Sequence, residues 1–365
     1  MADLAAGGRV MKILDRYLMG TLLRFTLMVL VIVAAVDAFI YLIGEFGSIG
    51  QGDYGIGHAF VYVLSVLPGQ LYGLFPMIGL LGALIGLGLL AQNSELVVMR
   101  AAGMQLTRMM RMVFRLAIVL IVVVTCIGEL FAPRLTAYAE QMKLMATSGG
   151  QAAKTRYGLW LKDAERFIFV GAVLPNGHVR NVTVYSFAPD QTLKKALHAK
   201  QAVKIADDEW RLQDVTESQL QGETVRSQSV PNMDVTLRMS TKSANDAGGF
   251  ASQLSLLELY QDIRQQIAVG MSPAQFELAF WQRLVQPFSS LVMILLAVPF
   301  IFGPLRSVTM GLRIVTGAAV GLAFYLLNQF FGPFCLVYQV PAFLGAALPT
   351  VLFAFLGLML MRRVK

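Results

Sequence analysis

Six runs of mainly apolar residues dominate this sequence: 19–43, 65–90, 113–133, 280–302, 312–334 and 338–361. Each is close to the roughly 20 residues that carry a helix across a hydrocarbon core. Lipid offers no partner to a backbone N–H or C=O, so runs of this length must fold as helices that satisfy their own backbone. Six of them predict a polytopic α-helical membrane protein. Composition agrees, with 56% hydrophobic and only 14% charged residues against about 25% charged in a soluble domain. The formal charge of +8 does not indicate nucleic acid, because the basic residues flank the apolar runs instead of gathering on a polar domain. The second run contains Pro68 and Pro76, which predict either a separate interfacial helix at its start or a kinked span.

Between the third and fourth runs the composition changes. Arg134 to Glu277 carries 16 Lys and Arg against 15 Asp and Glu, a balance typical of soluble protein. YGLWL, RFIFVGAVL, PNGHVR, NVTVYSF, KQAVKI and DVTLRM read as short strands separated by turn residues. Alternation over Arg166–Val173 and Asn181–Phe187 favours an all-β sandwich or jelly roll over an α/β domain. Ser255–Val269 returns to helical spacing, with Leu256, Leu259, Tyr260 and Ile263 on one face. The expected division is a membrane half over 1–133, a β-rich domain over 134–277 and a second membrane half over 278–365.

Loop charges then assign sides. Arg9, Lys12 and Arg16 precede the first span, while Arg100, Arg108, Arg111 and Arg115 lie between the second and third. Arg306 and Arg313 separate the fourth and fifth, and Arg362, Arg363 and Lys365 follow the sixth. In a six-span topology all four clusters fall on one side. Both termini are therefore expected in the cytoplasm and the β-rich domain on the opposite face. The first apolar run lacks a small-residue cleavage site and reads as a retained signal anchor.

Chemistry-bearing patterns are few. Walker A, HExxH and nucleophile-base signatures are absent from the sequence. Cys126 and Cys335 lie in apolar surroundings as packing residues, and His58, His178 and His198 are too scattered for a zinc site. The run Ile78–Leu90, IGLLGALIGLGLL, supplies small residues for close helix contact. Asp37 in the first span, Asn328 and Gln329 in the fifth, and Gln282, Arg283 and Gln286 in the fourth are polar groups in costly positions. They fit either architecture or a protein-lined cavity. An ion channel or secondary transporter with a large extracytoplasmic domain is one functional class. A permease driven by a separate ATPase is the other, and it requires a cytoplasmic coupling element in place of catalytic motifs.

The segment AQNSELVVMRAAGMQLTRMMR, Ala91–Arg111, is where such an element would lie, and it also carries a resemblance. With ILDRY (13–17), Phe75–Gly103, GLW (158–160), Gln286–Gly317 and NQFFGP (328–333) in the same order around a soluble insertion, the chain resembles the LptF/LptG permease family of the lipopolysaccharide exporter, within it the LptG branch. The resemblance implies six membrane helices with a periplasmic β-jelly-roll domain between helices three and four. It implies an inner-membrane permease that extracts lipopolysaccharide and passes it toward a periplasmic LptA-like bridge. Partners would be an LptF-like permease, an LptB-like ATPase dimer and an LptC-like bitopic subunit. No cofactor is expected in this chain, because ATP and magnesium would be handled by the ATPase subunits.

The same resemblance implies site residues. Glu95, Leu96, Met99, Arg100, Gly103 and Met104 would couple to the ATPase, the apolar ones by contact and Glu95 and Arg100 by charge. Leu30, Val33, Asp37, Tyr41, Arg306, Phe324, Leu327 and Asn328 would line the substrate cavity. Phe167, Phe169 and Val184 would contribute to the apolar interior of the periplasmic domain. Asp37 and Glu45 stand where some relatives place basic residues, so phosphate attraction by the first span is not expected.

Overall fold

The computed structural model describes residues 2–147, 153–163, 166–173, 178–188, 192–205, 209–221, 224–237, 254–268, 272–303 and 308–363. Among the described residues six stretches are long and apolar enough to cross a membrane: Leu14–Glu45, Ile56–Gln92, Leu106–Thr147, Ala274–Phe302, Met310–Val337 and Ala342–Arg363. The first lies in helix α1 (Ala2–Glu45) and the second is α2 (Ile56–Gln92). A short helix α3 (Glu95–Ala101) follows. The third span joins α4 (Leu106–Cys126), one π-helical segment (Ile127–Phe131) and α5 (Ala132–Thr147). After the sheet and α6 (Leu256–Ala268) come α7 (Ala274–Phe302), α8 (Met310–Val337) and α9 (Ala342–Arg363).

Contacts divide the chain into two units, one of Met1–Ile43, Val63–Leu135 and Ala274–Lys365, the other of Gly44–Tyr62 and Thr136–Pro273. In the first unit α2 is the central span. Leu80, Leu84, Leu87 and Leu90 are buried in one apolar cluster with Leu18 and Leu22 of α1, Met109 and Met112 of α4, and Met293 and Leu296 of α7. Small residues make that density attainable. A side-chain carbon at Gly82 would fall 2.5 Å from the Thr26 Cα, and one at Gly79 the same 2.5 Å from Ile294. The glycine-rich run is thus an interhelical surface, as its composition predicts.

The two prolines of α2 do not break it. Pro76 has no N–H, which leaves the Tyr72 carbonyl without its helical donor. Gln286 of α7 supplies the missing partner, donating from Nε2 to the Tyr72 carbonyl at 2.8 Å and to the Gly73 carbonyl at 3.1 Å. A π-helical segment stores one extra residue in a turn and is commonly bounded by side-chain support. Here Arg283 donates from Nη1 to Glu129 Oε1 at 2.8 Å, an ion pair with both partners mostly buried. Arg313, counted among the basic residues between the fourth and fifth spans, is buried and donates to the Gly88 carbonyl at 2.6 Å.

The second unit contains one antiparallel sheet, β1 (Ala153–Asp163), β2 (Arg166–Val173), β3 (Val179–Phe187), β4 (Leu193–Lys204), β5 (Glu209–Gln221) and β6 (Thr224–Thr236). The strands pair in sequential order, so every connection is a hairpin, and among the described residues the sheet is open. The all-β domain between the third and fourth spans is the one the strand alternation predicts; its simple meander order is the added detail. Ile168, Val170, Val182, Val184, Leu197 and Leu212 are buried on one face, following the period of two. Pro231 sits in β6, an edge strand, where a missing ladder donor is tolerated. Helix α6 starts with a capping box: the Ser255 N–H donates to Glu258 Oε2 at 2.7 Å and the Glu258 N–H to Ser255 Oγ at 3.4 Å.

The loop between α1 and α2 groups with this second unit because polar side chains fasten it to α5. Lys143 Nζ reaches Glu45 Oε1 at 2.7 Å, and the Tyr54 hydroxyl donates to Glu45 Oε2 at 2.9 Å. Tyr62 donates to Glu140 at 2.7 Å, and the Asp53 N–H to the Ala146 carbonyl at 2.8 Å. Burial, and then the Glu45 carboxylate beside it, push the Tyr54 hydroxyl well above the ordinary tyrosine range, so it remains a donor.

Candidate functional site

The short helix between the second and third spans is built to be rigid. It begins after Ser94, which adopts a left-handed backbone at φ 61°, and it ends at Gly103, at φ 89°. The Met104 N–H donates to the Met99 carbonyl and the Gly103 N–H to the Arg100 carbonyl, both at 3.0 Å. That pattern, with a left-handed glycine and an apolar residue just beyond it, is a Schellman stop. Gly103 therefore serves the helix end. It was expected as a coupling contact, but its conformation is what the position requires.

The apolar coupling residues expected from sequence face the wrong way. Leu96, Met99 and Met104 are only 3%, 4% and 4% exposed, and all three belong to the buried cluster of the membrane bundle. The physical reason is the helical period: positions 96 and 99 share one face, and the Schellman stop folds Met104 back onto it. The outward face instead presents Val97 and Val98, at 65% and 66% exposure. Glu95 accepts a bond from Asn93 Nδ2 at 3.3 Å, and its carboxylate lies beside Tyr17 of α1. Arg100 places its guanidinium 5.9 Å from the Phe302 ring centroid on α7. A seven-residue helix is thus anchored to α1 and α7 while offering two adjacent valines to whatever lies outside.

The residues expected in the cavity separate into three groups. Leu30, Val33 and Leu327 are half-buried and pack against the main cluster. Phe324 is only 4% exposed, its ring edge-on to Phe353 at 5.3 Å between centroids; it is core and not lining, because its position on α8 turns it toward α9. Asp37, Tyr41 and Asn328 are half-buried, and Asp37 Oδ2 is buried without a hydrogen-bond partner among the described residues. Arg306 lies outside the described residues. Around them α1 exposes Val31, Ile32, Val36, Phe39 and Ile40, and α8 exposes Leu322, Leu326 and Phe330.

Residues 16–363 match the family described as "Lipopolysaccharide export system permease LptF/LptG". The chain belongs to the LptF/LptG permease family. It is 35% identical to the lipopolysaccharide export system permease protein LptG of Escherichia coli (strain K12) over 356 residues, covering 96% of this chain and 98% of that one. It is 36% identical to LptG of Haemophilus influenzae over 345 residues, covering 93% and 95%.

In this LptF/LptG-family chain the three residues expected inside the β-domain also divide. Val184 lies on the buried face, paired in register with Ile168. Phe167 is 38% exposed and meets the Phe187 ring edge-on at 5.6 Å; Phe169 is half-buried. Both phenylalanines alternate with the buried Ile168 and Val170 and so belong to the opposite face. The resemblance implied the interior, but parity along the strand decides. Sequence reasoning missed Val97 and Val98, although two consecutive valines flanked by Leu96 and Met99 mark the outer side of that helix once its inner side is fixed.

Proposed function

We propose that this chain is one permease subunit of a lipopolysaccharide exporter, lying in the bacterial inner membrane with both termini cytoplasmic and the β-domain periplasmic. An LptF-like permease would complete the membrane cavity, an LptB-like ATPase dimer would hydrolyse ATP with magnesium, and an LptC-like bitopic subunit and LptA-like bridge would receive the lipid. The family match over nearly the full length supports the transport role.

The observation that carries the mechanism is the Val97–Val98 pair on a helix closed at Gly103 and anchored to two spans. Apolar contact with an ATPase groove holds the pair, and displacement of the groove moves α3 as a unit. The contact of Glu95 with Tyr17 passes that movement to α1, and Arg100 passes it to α7 through Phe302. Movement of α1 changes the opening beside α8, where acyl chains meet exposed aliphatic side chains. Asp37 and Tyr41 stand at this surface, and the phosphates of the lipid are attracted by cations from other subunits.

The test is purification of the complex from its native membrane through this chain, with masses measured for the retained proteins and lipid. A second permease, an ATPase dimer and lipopolysaccharide are expected. An ion-conducting homo-oligomer without an ATPase would overturn the proposal.

A further inference from the structure

A cavity of ≈ 180 Å³ opens between α1 and the start of α4, lined by Asp15, Arg108, Arg111, Met112 and Arg115. Arg108 is not a free cation there. Its Nε reaches Asp15 Oδ1 at 3.2 Å and its Nη2 reaches Oδ2 at 3.0 Å, a bidentate pair that ties the two helices and cancels one charge. Arg111 and Arg115 follow one and two turns later on the same helix face. Among the described residues neither pairs with a carboxylate, and both are exposed.

The location makes two such cations costly. They sit in the second and third turns of α4 at i and i+4, so two like charges face each other with no carboxylate of the described residues between them. An anion in the cavity removes that conflict. The face then continues down the helix as Ile118, Val119 and Val122, all exposed and apolar, while Met109, Val113, Leu116 and Ala117 on the other side are buried. Two guanidinium groups above an exposed aliphatic stripe match a phospholipid, with its phosphate on the fork and an acyl chain along the stripe. The cavity is too small to admit a helix, which is about 10 Å across with its side chains. That disfavours a protein segment as the occupant.

We propose that this cavity binds the phosphate of an anionic phospholipid from the leaflet on the side of the chain termini, with Arg111 and Arg115 as its ligands and Asp15 holding Arg108 in place. The site is separate from the proposed export path, and its occupant is a membrane lipid held while the permease works.

The experiment uses the full chain with its native partners, reconstituted in phosphatidylcholine containing a minor fraction of phosphatidylglycerol. Native mass spectrometry counts the phosphatidylglycerol retained per complex. The R111Q/R115Q variant is expected to retain about thirtyfold less, since each basic side chain near an anionic membrane contributes about 1 kcal/mol. R111K/R115K, which keeps the charge and guards against a folding defect, is expected to stay within about threefold of the parent. R362Q/R363Q, which removes two basic residues at the end of α9, is expected to leave retention unchanged. Equal losses in the α4 and α9 glutamine variants would reduce the effect to general surface charge and overturn the proposal. So would unaltered retention in R111Q/R115Q, displacement of the lipid by millimolar inorganic phosphate, or loss of a protein partner with lipid retention intact. Because lipid is counted and not transport, failure here leaves the export proposal standing.

Discussion

Gln286 on α7 donates to the Tyr72 carbonyl on α2 at 2.8 Å, filling the position that Pro76 leaves without a backbone donor. One residue thus repairs the hydrogen bonding of another helix in a place where lipid cannot. Replacing Gln286 with Leu is expected to cost about 1–3 kcal/mol, the range for orphaning a buried polar group. In a Pro76→Ala background the Tyr72 carbonyl regains a helical donor, so the same replacement should cost clearly less. Denaturant unfolding of the four proteins of this double-mutant cycle in detergent checks the coupling; strictly additive effects would sink it.

Gly128 lies in the π-helical segment with the Tyr72 ring against it, and an added side-chain carbon would fall 2.5 Å from Tyr72 Cγ. Gly128→Ala is therefore expected to destabilise the bundle by about 1–3 kcal/mol through overpacking. Melting temperature in detergent reads the effect. Gly47→Ala, where the surrounding space is open, should leave it nearly unchanged.

At the end of α3, Gly103 has φ 89°. Gly103→Ala should cost about 1–2 kcal/mol, the penalty of a left-handed backbone for an L side chain, and Gly103→Asn less. Amide hydrogen exchange across 95–104 should quicken in the order Gly, Asn, Ala. An unchanged rate in the alanine variant would show that the turn is not what closes this helix.

Acid should loosen the β4–β6 half of the sheet before its β1–β3 half. Lys195 and Gln219 hydrogen-bond Glu217, and Arg211 hydrogen-bonds Asp234, holding both carboxyl groups below their ordinary ranges. A carboxylate depressed in the folded state stabilises it above its unfolded value and loses that contribution as pH falls through the folded value. Protection of β4, β5 and β6 amides should accordingly decline from the ordinary carboxylate range downward. The effect is expected to be small because the Arg211–Asp234 pair is largely exposed and the Lys195–Glu217 pair is only partly buried. Hydrogen exchange against pH checks it, and Asp234→Asn should flatten the Arg211 part of the response.

The membrane spans were legible because twenty-residue apolar runs have few physical solutions, and the strands because alternation survives in Ile168, Val170, Val182 and Val184. Contacts between distant residues were not legible. Nothing near Pro76 announces Gln286, and nothing in the loop after α1 announces that Glu45 will meet Lys143. Part of the expected site faces elsewhere for a more local reason. Leu96, Met99 and Met104 were assigned outward for being apolar, yet in a helix lying against an apolar bundle the apolar stripe turns inward. Phe167 and Phe169 were expected inside from the family resemblance, against their own strand parity. In both places periodicity carried better information than residue type.

The central claim is that Val97 and Val98 form the outward face through which an ATPase moves this permease. Its most direct measurement is ATP-driven lipopolysaccharide release by the reconstituted complex carrying V97D/V98D, alongside M99A. The account predicts that V97D/V98D keeps the membrane fold and melting temperature but loses ATPase copurification or at least about tenfold in release, the weight of roughly 1.4 kcal/mol. M99A should instead lower stability by about 2–5 kcal/mol, as cavity-forming core substitutions do. Normal ATPase assembly together with normal release in V97D/V98D would contradict the account.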